Sequence, residues 1–369
     1  MTLNSDLTDR AIRRAILLEG FKRSEVAAII RLLERQVFPD ILRQIRSLSD
    51  QVGRGPVTMG AVRRRVRLER LLAGLNDTVR GGAVLLHGEL VQRMTELARN
   101  DAAWQARAIR ELSPIELDYV TPAPSLLRSA VVSRPMQGRF LRQWSAEVGA
   151  NATRRVSGAI RQGIVQGEGT DVIVRRVRGT VGNRFADGVL NATRHDAARV
   201  VRTAVTHVTT QARQAAFEAN SELIAFVRWL SVLDSRTSQI CAGLDGQTWP
   251  VDRGPRPPAH PNCRSDVVVG LRPVENIPGV DFTKLPPATR ASMGGEVPAV
   301  QKLGEWLRGQ PIATQESILG KAKAALFRRG VVPIKRFVDV PTLRPLKLRE
   351  LERIEKQINA GKVARLSLR

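Results

Sequence analysis

Over the first 112 residues apolar side chains return every three or four positions, and that period dictates helices. Ala11, Ile12, Ala15, Ile16 and Leu18 form one run, closed by Gly20. Val26, Ile29, Ile30, Leu32, Leu33 and Val37 form the next, with Ser24 placed as its N-cap. Pro39 marks a kink, and Gly53-Arg54-Gly55-Pro56 a clear break. Two further helices are expected, from about Met59 to Leu75 and from Ala83 to Leu112. Aromatic residues make up only 4% of a chain that is 43% hydrophobic, so the apolar mass is mostly Ala, Val, Leu and Ile. That suits closely packed helices better than a β-sandwich. Residues 1–112 therefore read as a helical hairpin or bundle. Arg63, Arg64, Arg65, Arg67 and Arg70 form a basic cluster in it, read either as a solvated helix face or as a contact.

The texture changes along the remaining chain. Residues 113–134 are a connector in which Pro114, Pro122 and Pro124, followed by Pro135, forbid one continuous helix. Helices are expected over 138–166, 172–178 and 194–220. Ile224 to Leu233 is rich in β-branched and aromatic residues and reads as a strand. Gln247 to Val251 and Val267 to Val269 supply two more, so residues 135–270 read as a small α+β module. A Pro/Gly-rich linker covers 271–298, and helices near 300–309, 313–329 and 346–359 build a basic extension over 299–369. The expected class is α+β and predominantly α: long N-terminal helices, a module with a short sheet, and a helical C-terminal tail.

Charge narrows the partners. Fifty Arg and nine Lys face 35 acidic residues, a net charge of +24. Residues 320–369 alone hold fourteen basic and four acidic residues. Such a surplus suits a polyanion or an acidic protein surface, so nonspecific double-stranded DNA is a candidate partner, with a solvated tail as the plainer reading. No apolar run reaches the roughly 18 residues of a membrane span, and Asp6, Asp9 and Arg10 interrupt the start where a signal peptide needs an apolar core. Two cysteines exclude a secreted disulfide framework and suggest folding in a reducing cytoplasm.

Both cysteines and a histidine fall within 23 positions: Cys241, His260 and Cys263. Thiolate and imidazole are preferred zinc ligands, and a structural site wants four. His207, Asp234, Asp245 and Asp266 are the candidates for the fourth. Two other readings fit the same residues: small buried thiols beside a hydrogen-bonded histidine, and a disulfide. The chain shows no need of a cofactor beyond that candidate zinc. Arg202, Asp234, Arg236 and Arg264 are suited to an arginine–carboxylate network that pins the loops.

The spaced residues Arg202-Thr203, Trp229, Asp234, Arg236-Thr237, Cys241, Asp245-Gly246, Pro257-Pro258, His260-Pro261 and Cys263-Arg264 resemble the phage Mu F-like head morphogenesis, or minor capsid, family. Trp306-Leu307, Gln315, Leu319-Gly320, Ala324, Leu326-Phe327, Gly330 and Phe337-Val338-Asp339 extend the likeness, which spans roughly 135–345. Family members often carry further cysteines where this chain has Ser238 and Ser265. The resemblance implies a structural minor head protein of a tailed phage, not an enzyme. Such a protein assembles in the host cytoplasm and resides in the virion as part of an oligomer. Its partners there are the portal protein, the capsid or scaffold proteins and packaged DNA. The alternative is a metal-dependent nuclease or other DNA-processing enzyme built on His260, Cys263 and Asp234. Against it, the chain has no second acidic metal cluster, no His-Glu-x-x-His and no Gly-rich phosphate loop.

Overall fold

In a computed structural model the chain is predominantly α-helical with a small antiparallel sheet. The structure describes residues 3–51, 60–112, 119–271, 289–298 and 301–361. Three helices run through it: α1 (Leu3–Gln36), α2 (Phe38–Gln51) and α3 (Gly60–Leu112). Then come α4 (Pro124–Val132), α5 (Leu141–Val165), α6 (Thr170–Arg178) and α7 (Val189–Ala219). The sheet region holds β1 (Ile224–Leu230), α8 (Gln239–Leu244), β2 (Thr248–Trp249) and β3 (Asp266–Leu271). The remainder is a hairpin, β4 (Thr289–Ser292) and β5 (Gly295–Pro298), followed by α9 (Leu303–Arg308), α10 (Ile312–Leu319) and α11 (Lys321–Arg329). A 3-10 turn at Ile334–Arg336, the short pair β6 (Val338–Asp339) and β7 (Arg344–Pro345), and α12 (Leu348–Asn359) end the described chain.

Several sequence punctuators do not act as expected. Helix α1 runs through Gly20, because one glycine costs a helix only about 1 kcal/mol. Ser24 is therefore not an N-cap; its hydroxyl donates to the Phe21 carbonyl within the helix at 2.8 Å. The two helices expected between 59 and 112 are one continuous helix, with Gly81 and Gly82 inside it. A Cβ on Gly82 would lie 2.8 Å from Val37 Cγ1, so this glycine permits close packing where a break was expected. Pro124 begins α4, in the first turn where a missing N–H costs nothing. The helix expected over 313–329 is divided at Gly320, whose φ of 76° favours glycine. The linker expected over 271–298 carries the β4–β5 hairpin at its end; its residues 272–288 lie outside those described. So do the side chains of Arg63, Arg64, Arg65 and Arg67.

The chain divides into two compact units. One comprises Gly20–Glu96 and Val131–Val205. Its described elements are helices, and its buried residues include Ile29, Leu33, Val37, Ile41, Ile45, Leu86, Leu90 and Val156. Small residues again set the spacing: a Cβ on Gly149 would meet Ala83 Cβ at 2.9 Å.

The other unit comprises Met1–Glu19, Leu97–Ala130 and Thr206–Arg369. Its three-stranded sheet has the order β2-β1-β3, antiparallel throughout, with Trp229 opposite Val267 and Val227 opposite both Trp249 and Val269. Alternation along β3 separates two faces. Val267, Val269 and Leu271 pack with Leu7, Ala106, Ile109, Ala216 and Phe217, while Val268 packs with Leu230, Ala11 and Ile12. A further core joins Leu233 and Ala242 to Leu303, Trp306, Leu307, Phe327, Phe337, Leu351 and Ile358. The described part of the basic C-terminal segment is thus folded onto the sheet module.

Arg213 sits amid the apolar residues of α7 and is 1% exposed. Its guanidinium donates to Asp101 at 2.6 and 3.2 Å and to Asp266 at 2.6 Å, while Arg14 reaches Asp101 at 3.0 Å. Burial alone would weaken the protonated form, but the two carboxylates outweigh it and hold the guanidinium charged. Removing one member leaves a buried charge uncompensated. Asp101→Ala should therefore cost on the order of 3–5 kcal/mol in chemical denaturation. A loss below about 1 kcal/mol, the usual ceiling for exposed pairs, would show that the cluster contributes little.

Candidate functional site

The residues after Trp229 are held by hydrogen bonds more than by apolar area. Trp229 is fully buried, and its indole N–H donates to Ser231 Oγ at 3.0 Å. That hydroxyl donates in turn to the Cys241 carbonyl at 2.8 Å, and Ser265 Oγ lies 3.3 Å from it. Asp245, 1% exposed, accepts the Ser231 amide at 2.7 Å and the Leu303 amide, first in α9, also at 2.7 Å. Arg290 from β4, 4% exposed, donates to both oxygens of Asp245 at 3.1 and 3.3 Å, and also to the carbonyls of Ser231 and Gln301. Gly246, at φ 74°, turns the chain so that its amide reaches the Trp229 carbonyl at 2.9 Å.

Asp234 is the second anchor. Arg264 grips it with two N–H groups at 2.6 and 2.5 Å. The Arg236 amide donates to Asp234 Oδ1 at 3.0 Å, and the Thr237 hydroxyl lies 3.3 Å from the same oxygen. Burial pushes the carboxyl up, but Arg264 and the Arg236 amide together bring it below the ordinary carboxylate range. The Arg236 side chain itself is exposed, 3.7 Å from Asp234. Of the network expected from sequence, then, Asp234 and Arg264 meet directly. Arg202 and Thr203 fall in the helical unit, where Arg202 is exposed and Thr203 donates to the Arg199 carbonyl at 2.7 Å.

Cys241, His260 and Cys263 do come together: their ligand atoms all lie within 4.8 Å of one another. Cys241 Sγ is 3.7 Å from Cys263 Sγ and 3.2 Å from His260 Nε2, and both thiols are free and buried. Two turns produce this. Ser238 caps α8, accepting the Cys241 amide at 3.2 Å, and its hydroxyl lies 2.9 Å from His260 Nε2. Asn262, at φ 60°, curls the closing loop so that the Cys263 amide reaches the His260 carbonyl at 3.1 Å. The Thr206 hydroxyl then holds the Cys263 carbonyl at 2.9 Å. His260 Nδ1 faces the Pro261 carbonyl at 2.9 Å, which can only accept, so Nδ1 bears a proton, while Nε2 lies against Cys241 Sγ and the Ser238 hydroxyl.

Hydrogen bonding from Cys241 outweighs burial and, with the facing imidazole, draws the Cys263 thiol well below its usual range. The Cys263 thiolate in turn raises Cys241 and His260. None of the fourth ligands considered from sequence joins the group: among the described residues the cluster consists of these three. Asp234, Asp245 and Asp266 are each engaged by an arginine, namely Arg264, Arg290 and Arg213.

Sequence reasoning missed Arg290, Arg213 and Ser231. Arg213 had a signal, a charge on the apolar face of a helix between Ala212 and Ala216. Arg290 had none, standing in a Pro/Gly-rich stretch 45 residues from its partner.

The Asp234 pair predicts a pH dependence. Because its folded-state value is depressed, its contribution is present above the unfolded value of about 3.9 and fades as pH falls through the folded one. The difference in Tm between wild type and Asp234→Asn should be largest near neutrality and narrow on acidification below about pH 4. A difference that is constant from pH 7 to 3 would contradict this.

No curated protein and no solved structure matches the chain. A family model described as Phage Mu protein F like protein matches residues 154–268, less than half of the chain. Trp229, Asp234, Cys241, Asp245, His260, Cys263 and Arg264 all fall inside that stretch, so the candidate site lies in the segment that is similar to the phage Mu F-like family.

Proposed function

We propose that the chain is a structural minor head protein of a tailed phage. In this reading it acts in head morphogenesis at or near the portal vertex, as part of an oligomer in the virion, and contacts portal, capsid or scaffold proteins. The observation that carries the reading is the match over 154–268 to a family of head-related proteins. The site supports a structural role. Asp234, Asp245 and Asp266 are each tied to an arginine and accept further hydrogen bonds from the surrounding chain, which leaves them poorly placed as nuclease metal ligands or general bases. Among the described residues no helix is long and apolar enough to cross a membrane.

Deleting the gene from the phage or prophage that encodes it should abolish normal filled heads while leaving separate tails, seen by electron microscopy. Intact, filled and infectious particles lacking the chain would overturn the reading. Metal-dependent DNA cleavage by the purified protein, lost in His260→Ala, would favour the enzymatic alternative.

In this reading α12 meets packaged DNA, which is supported by Arg349, Arg353 and Lys356, exposed and spaced four and three residues apart, hence on one helix face. Truncation is a poor test, since Leu351 and Ile358 of the same helix belong to the core. Replacing the three basic residues with Ser should weaken duplex binding uniformly across sequences. It should also flatten the log–log salt dependence by roughly one unit per lost phosphate contact. An unchanged slope would remove this face as the contact.

A further inference from the structure

We infer that the sheet-bearing unit binds one zinc ion through Cys241 Sγ, Cys263 Sγ and His260 Nε2, with the Ser238 hydroxyl at the fourth position. The sulfur–sulfur distance matches the ion's requirements. Two thiolates about 2.3 Å from a tetrahedral zinc stand about 3.8 Å apart; the two sulfurs here are separated by 3.7 Å. A thiolate and an imidazole nitrogen on the same ion stand about 3.6 Å apart by the same geometry, and the observed 3.2 Å needs only a small adjustment. A disulfide instead requires about 2.05 Å between the sulfurs.

The surroundings are organised for a ligand set. The proton on His260 Nδ1 goes to the Pro261 carbonyl, the outer hydrogen bond that fixes a metal-binding imidazole. The main chain of both cysteines is pinned, Cys241 by Ser231 and Ser238 and Cys263 by Thr206 and the His260 carbonyl. Ser238 Oγ lies 2.9 Å from His260 Nε2 and caps the turn that carries Cys241. The three carboxylates nearest in sequence are withdrawn by arginines. The ion would thereby join α8 to the 260–263 loop, and its binding energy would add to the stability of the folded unit.

The test is metal analysis of the full-length protein purified under reducing conditions with zinc supplied, followed by cobalt(II) substitution. The expected result is about one zinc per chain, with cobalt giving tetrahedral ligand-field bands and a thiolate charge-transfer band. Cys263→Ser and His260→Ala should lower the zinc content. Ser238→Cys, which replaces the hydroxyl ligand with a third thiolate, should slow zinc loss to a chelator and intensify the cobalt charge-transfer band. Wild type and Ser238→Cys decide the matter even if the ligand variants fail to fold. Folded wild-type protein that stays far below one zinc per chain and shows no thiolate–cobalt band overturns the proposal, as does recovery of the two cysteines joined to each other in metal-free protein.

Discussion

The Asp245 carboxylate accepts hydrogen bonds from three stretches of chain: the Ser231 amide after β1, the Leu303 amide at the start of α9, and the Arg290 guanidinium from the β4–β5 hairpin. An acidic side chain that is 1% exposed persists only because every lone pair has a donor and the charge has a counter-ion. Without it, the strand end and the start of α9 would have buried backbone amides with no acceptor, and the hairpin a buried guanidinium with no counter-ion. The loops after Trp229 are thereby converted from irregular chain into a fixed connector between two hydrophobic cores.

The same device recurs. Asp234 pairs with Arg264, and Asp101 and Asp266 pair with Arg213. In a chain with a net charge of +24, buried carboxylates are the scarce component, and those in this unit are committed to holding arginines. Bidentate arginine contacts fix direction as well as distance, so the loops acquire rigidity that their apolar content would not provide. Other arginines and lysines, such as those on α12, stay exposed.

Local signals made much of this legible. Apolar period revealed the helices and the β-branched run revealed β1, because both report burial along a single element. The Cys241, His260 and Cys263 grouping stood out because reactive residue types clustered in an otherwise cysteine-poor chain. What escaped were pairings that depend on tertiary placement. Gly20 and the stretch between Leu75 and Ala83 read as interruptions, yet the helices run through both. Arg290 read as linker and Asp245 as a candidate zinc ligand; 45 residues separate the two, so their pairing left no local signal. Arg236 was weighed equally with Arg264, but neighbours in sequence gave no indication that one would point to solvent and the other at Asp234.

If the polar loops act as a clamp, their amides should open only when the whole unit unfolds. Hydrogen exchange resolved at Ser231 and Leu303 measures this directly, comparing wild type with Asp245→Asn. The account predicts strong protection of both amides in wild type, lost together in the variant, while helix α5 of the other unit keeps its protection. Equal and rapid exchange at Ser231 and Leu303 in both proteins would contradict it.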